Sequence, residues 1–251
     1  MTALQQLSFT TDDGFSQRAC LGLIVLETDQ TLEMEARRLP IDGVAWYHAR
    51  IPMEPEVTPT TLTDMEARLP VAAALLPAAF EFDAIGYGCT SAATLIGEAG
   101  VTAGIHAAHP GMPCTNPISA AVDAFGVLGA QRIAVVTPYT AEVTRPVIDL
   151  FERHDLTVTA VGSFLESSDL VVARISEASI ADGVRQVAAG GDFDAVFVSC
   201  TSLRVFGIVD SLEAELGVPV VSSNLALLWR LLRLAGVDDQ LKGFGSLFAN
   251  H

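Results

Sequence analysis

Apolar and polar positions alternate in blocks along the chain, and the blocks read as strands and helices in turn. Leu21 to Leu26 is a short unbroken apolar run, the pattern of a buried strand, and Glu27 to Thr31 is its polar exit. Thr31 opens a helix that ends before Pro40, and Val44 to Ile51 is a second strand. Pro52, Pro55 and Pro59 predict a loop, with helical turns over Thr63 to Phe80. A third strand, Phe82 to Gly88, leads into a helix from Ala92 to Ala99, for which Thr90 or Ser91 is the expected cap. A short strand is expected near Val101 to His106, then a turn over His109 to Pro113 and an alanine-rich helix from Ile118 to Leu128.

The order then restarts. Strands are predicted at Arg132 to Thr137, Thr157 to Phe164, Ala195 to Ser199 and Val218 to Val221. Helices fall between and after them, at Val143 to His154, Ser176 to Ala189, Val209 to Leu216 and Leu225 to Ala235. The restart is also literal. Phe82-Asp83-Ala84 is followed by four strand residues and Cys89-Thr90-Ser91, and Phe193-Asp194-Ala195 by four strand residues and Cys200-Thr201-Ser202, 111 residues later. Asn116 and Asn224 follow the two cysteines at similar intervals. Strands alternating with helices predict an α/β fold of two similar halves, each a parallel sheet flanked by helices, with ligands at the carboxyl ends of the strands. The expected boundaries are 1–118 for the first half, completed by a C-terminal helical segment 225–251, and 119–224 for the second.

Composition narrows the function. Half of the 251 residues are hydrophobic, and the net charge of −16 disfavours nucleic acid and anionic membrane as partners. No apolar run reaches membrane length and no signal-peptide core opens the chain, so a cytoplasmic protein is expected. Lys242 is the sole lysine, which leaves no phosphate-binding Gly-Lys-Ser/Thr loop and no well-placed Schiff-base lysine. Gly86 and Gly88 do not form a dinucleotide fingerprint. His106 and His109 lack a third metal ligand, so neither metal nor organic cofactor is expected. Glu33 and Glu35 are explained by the first turn of a helix. Arg145, Arg174 and Arg204 are expected on the surface or in packing. The apolar helix around Trp229 is core or subunit interface, and a homo-oligomer is expected.

Cys20, Cys89, Cys114 and Cys200 are too widely spaced for a disulfide scaffold or a zinc site. Cys20 and Cys114 are read as small buried apolar residues. Cys89 and Cys200, each at a strand end before an expected helix, are the candidate catalytic pair. A helix N-terminus favours thiolate and should lower the thiol pKa below about 8.5. The N–H groups and hydroxyls of Thr90, Ser91, Thr201 and Ser202 form candidate nests for a carboxylate or enolate.

The doubled Cys-Thr-Ser strand ends, the strand Leu23-Ile24-Val25 with its exit and Thr31-Leu32-Glu33, and Thr137-Pro138-Tyr139 together resemble the aspartate/glutamate racemase superfamily. The resemblance runs from about Leu21 to Gly236 and is strongest to the branch of maleate cis–trans isomerase and arylmalonate decarboxylase. It implies two pseudo-symmetric Rossmann-like (flavodoxin-like) halves around a cofactor-free site that takes a small carboxylate. In racemases of that superfamily the two cysteines act as acid and base; in maleate isomerase the first is nucleophile and the second proton donor; arylmalonate decarboxylase keeps only the second. With both present, an isomerase or racemase is expected. A decarboxylase in which Cys200 protonates an enolate, and a binding protein without turnover, are the alternatives. Thr90, Ser91 and Thr201 match positions that hydrogen-bond carboxylate or enolate, and Tyr139 matches a substrate-contacting tyrosine. Asp29 stands where the isomerases carry a carboxylate-gripping asparagine, and a second asparagine expected near Ser168 or Asp169 is absent. This exit also resembles the ectoine-utilisation relatives, whose substrates are zwitterionic.

Overall fold

The computed structural model describes residues 4–54 and 56–251; Pro55 of the expected proline loop lies outside the described residues. Two four-stranded parallel sheets organise the chain. The first consists of β1 (Ala19–Leu26), β2 (Val44–Ile51), β3 (Ala84–Gly88) and β4 (Cys114–Thr115), in the order β2-β1-β3-β4. The second consists of β5 (Arg132–Thr137), β6 (Thr157–Ser163), β7 (Ala195–Val198) and β8 (Val220–Ser222), in the order β6-β5-β7-β8. The two orders are the same, so the sequence repeat is a repeat of topology. The strand order reverses between β1 and β3, and again between β5 and β7, which are the positions where open parallel sheets bind ligands.

The doubled Phe-Asp-Ala has a structural cause. The Oδ2 of Asp83 accepts the backbone N–H of Cys20 at 2.8 Å, tying the start of β3 to the start of β1. In the second sheet the Oδ2 of Asp194 accepts the N–H groups of Gln131 and Arg132 at 3.1 and 2.8 Å. Each aspartate pins the lower end of the central strand pair, so the upper ends, where the cysteines lie, are set in register.

Small residues let other elements approach β3. A Cβ on Gly86 would stand 2.7 Å from Leu231 Cδ1, and one on Gly88 would collide with Leu32. Leu231 belongs to helix Ser223–Leu234, which packs on β3, β4 and helix Pro117–Leu128. The last long helix of the chain thus covers the first sheet.

Three local expectations are corrected. Residues Val101 to His106 are not a strand but part of helix Glu98–His106. Val101 and Ile105 are both buried, at helical rather than strand spacing, and Gly104 lies against Leu69 of helix Met65–Ala73. Pro59 is not loop but the first residue of helix Pro59–Thr63, where its missing N–H costs nothing, and Thr58 and Thr61 cap that helix reciprocally. The helix after Cys89 starts earlier than expected, at Thr90, with Cys89 itself in the cap position.

Candidate active site

The two strand ends that carry Cys-Thr-Ser present their cysteines differently. Cys89 is extended (φ −145°, ψ 114°) and caps helix Thr90–Ile96, so the Ala92 N–H points at its sulfur and the Ser91 hydroxyl lies 3.8 Å from it. The helix after Cys200 lies where the sequence placed it, at Val209–Leu216, but it does not start at the cysteine: residues 201–208 form turns and loop first. Cys200 has φ 95°, a left-handed conformation that a non-glycine residue holds at a cost of about 1–3 kcal/mol and that clusters at functional sites. The Ser202 N–H donates to its sulfur at 3.4 Å.

What holds Cys200 in that conformation is a set of bonds across the two halves. The Cys200 N–H donates to Ser223 Oγ at 2.9 Å, and the same oxygen accepts the Thr90 hydroxyl at 2.8 Å, so one serine joins both cysteine segments. The Thr201 hydroxyl donates to the Gly88 carbonyl at 3.3 Å, next to Cys89, and Thr31 donates to the Ser202 carbonyl at 2.9 Å. Beyond them Glu35 reaches from the first half into the loop after Cys200. Its Oε1 accepts the N–H groups of Val205 and Phe206 at 3.0 Å each, and its Oε2 accepts Asn224 Nδ2 at 2.7 Å. Glu35 is therefore a latch between the halves and not only a first-turn acid. A groove of about 210 Å³ lined by Thr31, Glu35, Arg38 and Arg204 runs along the outer side of this latch.

All eight residues singled out in the sequence lie at these strand ends. Asp29 follows β1; Cys89, Thr90 and Ser91 follow β3; Tyr139 follows β5; Cys200, Thr201 and Ser202 follow β7. Tyr139 and Tyr87 bring hydroxyls beside Cys200 and Cys89 respectively. The hydroxyls of Thr90 and Thr201 are engaged by Ser223 and Gly88, which leaves Ser91 and the first-turn N–H groups of helix Thr90–Ile96 directed at the Cys89 end.

Sequence reasoning missed Asp169, Glu35, Ser223 and Tyr87. Asp169 accepts the Ser202 hydroxyl at 3.0 Å through Oδ1 and the Thr28 hydroxyl through Oδ2, so it sits between the exit of β1 and the second cysteine turn. Its neighbourhood was legible only as a place where an asparagine was lacking. Ser223 directly precedes Asn224, one of the two asparagines at matching intervals, and Tyr87 lies inside the doubled strand. Elsewhere, His106 and His109 bond to the carbonyls of Met112 and Ala73. Among the described residues no cluster of three His, Cys, Asp or Glu side chains suits a metal.

The site is sealed. Cys89 and Cys200 are 3 % and 7 % exposed, and Asp29 and Asp169 2 % and 3 %. Burial is the leading influence on the ionisation of Cys89, Cys200 and Asp29. Cys89 is pushed up to about 11 by burial, relieved in part by the Ala92 N–H, Ser91 and Tyr87 and opposed by the charge of Asp169. Cys200 is also pushed up, by burial and then by Asp169, with the Ser202 N–H and Tyr139 relieving it and Cys89 adding to the rise. The expected lowering by a helix terminus is overturned. That effect is worth about 0.3–1 kcal/mol, whereas each pKa unit of burial is about 1.4 kcal/mol. Asp29 is pushed up to about 6 by burial, against the N–H groups of Leu32 and Thr31, the nearby Thr201 hydroxyl, and with the charge of Asp169 adding to the rise. Those two N–H groups take Oδ1, at 2.8 Å each; Thr201 is turned to Gly88, and Oδ2 has no hydrogen-bond partner.

Two buried thiols at equivalent ends of two like four-stranded parallel sheets define an α/β protein of duplicated halves. The model of the arylmalonate decarboxylase family matches residues 98–248, and the chain belongs to that family. It falls within the branch of the aspartate/glutamate racemase-like superfamily that holds arylmalonate decarboxylases and maleate isomerases. It is similar to the arylmalonate decarboxylase of Bordetella bronchiseptica, 33 % identical over 140 residues, which are 55 % of this chain and 58 % of that protein. It is 27 % identical to the maleate isomerase of Pseudomonas putida over 141 residues, 55 % of each protein. The chain thus spans somewhat over half the length of these curated relatives. Its fold matches that of a Cys-to-Ser variant of the maleate cis-trans isomerase of Nocardia farcinica with a covalently bound succinylcysteine intermediate. That match has a TM-score of 0.83 and 23 % identity, and covers 93 % of this chain and 99 % of the other.

Proposed function

We propose that this chain is a cofactor-independent isomerase or racemase of a small carboxylate, with Cys89 as base or nucleophile and Cys200 as proton donor. The observation that carries this is the pair of buried thiols at equivalent ends of β3 and β7, one from each sheet, tied together through Ser223. The Ser91 hydroxyl lies 3.8 Å from the Cys89 sulfur, and the Cys200 sulfur accepts the Ser202 N–H at 3.4 Å. For racemisation, the Cys89 thiolate takes the proton on the carbon next to the carboxylate, and Cys200 returns one from the opposite face. For isomerisation, the Cys89 thiolate adds to an alkene carbon while the alkene electron pair takes the Cys200 proton. Rotation about the new single bond and reversal of both transfers then restore the pair. Ser91 and the N–H groups of helix Thr90–Ile96 would hold the carboxylate, with Thr90, Thr201, Ser202 and Tyr139 shaping its surroundings.

The reading takes 1–118 with 225–251 as one half and 119–224 as the other, supported by the packing of helix Ser223–Leu234 on β3. It carries over the cytoplasmic homo-oligomer expected from the sequence. A decarboxylase in which Cys200 protonates an enolate is the second reading, favoured by the family match and by the 33 % identical relative.

The experiment is turnover of candidate carboxylates in deuterated water. Exchange or cis–trans conversion without carbon dioxide, lost in both Cys89→Ser and Cys200→Ser, supports the isomerase. Carbon dioxide release that survives Cys89→Ser supports the decarboxylase. Full turnover in both variants refutes the cysteine-pair mechanism.

A further inference from the structure

We propose that the groove on the outer side of the Glu35 latch binds a small monocarboxylate, which bridges Arg38 and Arg204 and so clamps the loop after Cys200 to the first half. This site lies outside the strand ends, and the proposal holds whichever reaction the cysteines perform. The groove has a volume of about 210 Å³, below the range of about 300–1,000 Å³ usual for drug-sized ligands, so it suits a small one. Arg38 lines it from the turn after helix Leu32–Ala36, and Arg204 from the loop between Cys200 and helix Val209–Leu216. One cation therefore comes from each half.

Both guanidinium groups are held in place but not neutralised. Arg204 donates to the Ile175 carbonyl at 2.9 Å, and the guanidinium carbon of Arg38 stands 5.9 Å from the centre of the Phe206 ring. Neither arginine forms an ion pair among the described residues. The chain carries 30 acids against 14 lysines and arginines, so a pair of arginines left without an acid in one groove is a local excess of positive charge on an anionic protein. Two acids share the lining. The oxygens of Glu35 are taken by the Val205 and Phe206 N–H groups and Asn224, and the carboxylate of Glu177 lies against Gly207, where a Cβ would stand 2.7 Å from its Oε1. Two guanidinium groups against Glu177 leave about one positive charge, which a monocarboxylate matches and a phosphate of about −1.5 to −2 overshoots. A carboxylate can offer one oxygen to each arginine, and Met34, 57 % exposed, gives its body an apolar wall. Because the ligand needs a residue from each half, it binds only while the loop after Cys200 is docked on the first half, and so stabilises that docking by mass action.

The test is NMR titration of the full chain with butyrate, inorganic phosphate and n-butylamine, in the parent and in Arg38→Gln, Arg204→Gln and Glu177→Gln. Both arginines are exposed, so the variants are expected to fold; Arg38→Lys and Arg204→Lys, which keep the charge and lose the fork, are the second variants. Butyrate is expected to bind one to one and at least about fivefold tighter than phosphate, with no binding of butylamine. Its affinity should fall at least about fivefold in Arg38→Gln and in Arg204→Gln, fall less in the lysine variants, and rise in Glu177→Gln. With butyrate at about ten times its Kd, hydrogen exchange of the Val205 and Phe206 amides should slow about tenfold in the parent and stay unchanged in the Arg→Gln variants. Absence of butyrate binding, tighter binding of phosphate, or amide exchange unaffected by saturating butyrate each overturns the proposal. So does an affinity unchanged in either Arg→Gln variant, which is the result expected if butyrate binds at the strand ends instead.

Discussion

Replacing Glu35 by Gln tests whether the latch between the halves is an acid held away from its ordinary ionisation. In the folded protein burial pushes Glu35 up to about 7, against the hydrogen bonds from Asn224, Phe206 and Val205 and the charge of Arg38. In the unfolded chain it titrates at about 4.5. Between those values the folded state holds a proton that the unfolded state has released, so stability falls as pH rises through that window and is flat above it. The separation of about 2.5 units corresponds to about 3 kcal/mol. Gln keeps an oxygen for the Val205 and Phe206 N–H groups, and its amide can donate to Asn224 Oδ1, which now lacks a partner, if the Asn224 amide turns over. Gln does not titrate, so the difference between the two proteins isolates Glu35 from every other group. Urea unfolding at about pH 5 and about pH 8, extrapolated to water, reads that difference. The Gln variant should gain on the parent by up to about 3 kcal/mol from the lower pH to the higher. A difference that is constant with pH, or that moves the other way, would refute burial as the cause.

Ser223→Ala removes the oxygen shared by the Cys200 N–H and the Thr90 hydroxyl. It should cost about 1–3 kcal/mol in chemical unfolding and lower kcat more than it raises KM, since Cys200 loses the bond that holds its left-handed backbone. Gly88→Ala drives a methyl group into Leu32 and should destabilise by about 1–3 kcal/mol in the same assay; a neutral result would mean β3 and the β1 exit are less closely packed than described. Iodoacetamide mapped by peptide mass spectrometry near neutral pH should label half-buried Cys114 ahead of Cys89 and Cys200, with Cys89 labelling rising steeply toward about pH 11. Fast labelling of Cys200 under those conditions would contradict its burial.

Amino-acid order alone determined the alternation of strands and helices, the duplication and the placing of eight candidate residues at the strand ends. These are local or repetitive signals: apolar runs set strands, and two copies of Phe-Asp-Ala and Cys-Thr-Ser mark equivalent strand ends, where a parallel sheet gathers its exits. It misjudged Val101 to His106 because a short apolar run reads as strand until packing shows a helical face buried against Leu69. It could not reveal that identical Cys-Thr-Ser triplets adopt unlike backbones, one capping a helix and one strained at φ 95°, because that difference is imposed by Ser223 and Glu35 from distant parts of the chain. Nor could it bring Asp169 to the thiols. Ionisation in a sealed site follows from desolvation and from charges contributed by the opposite half, and both exist only once the halves have closed on each other.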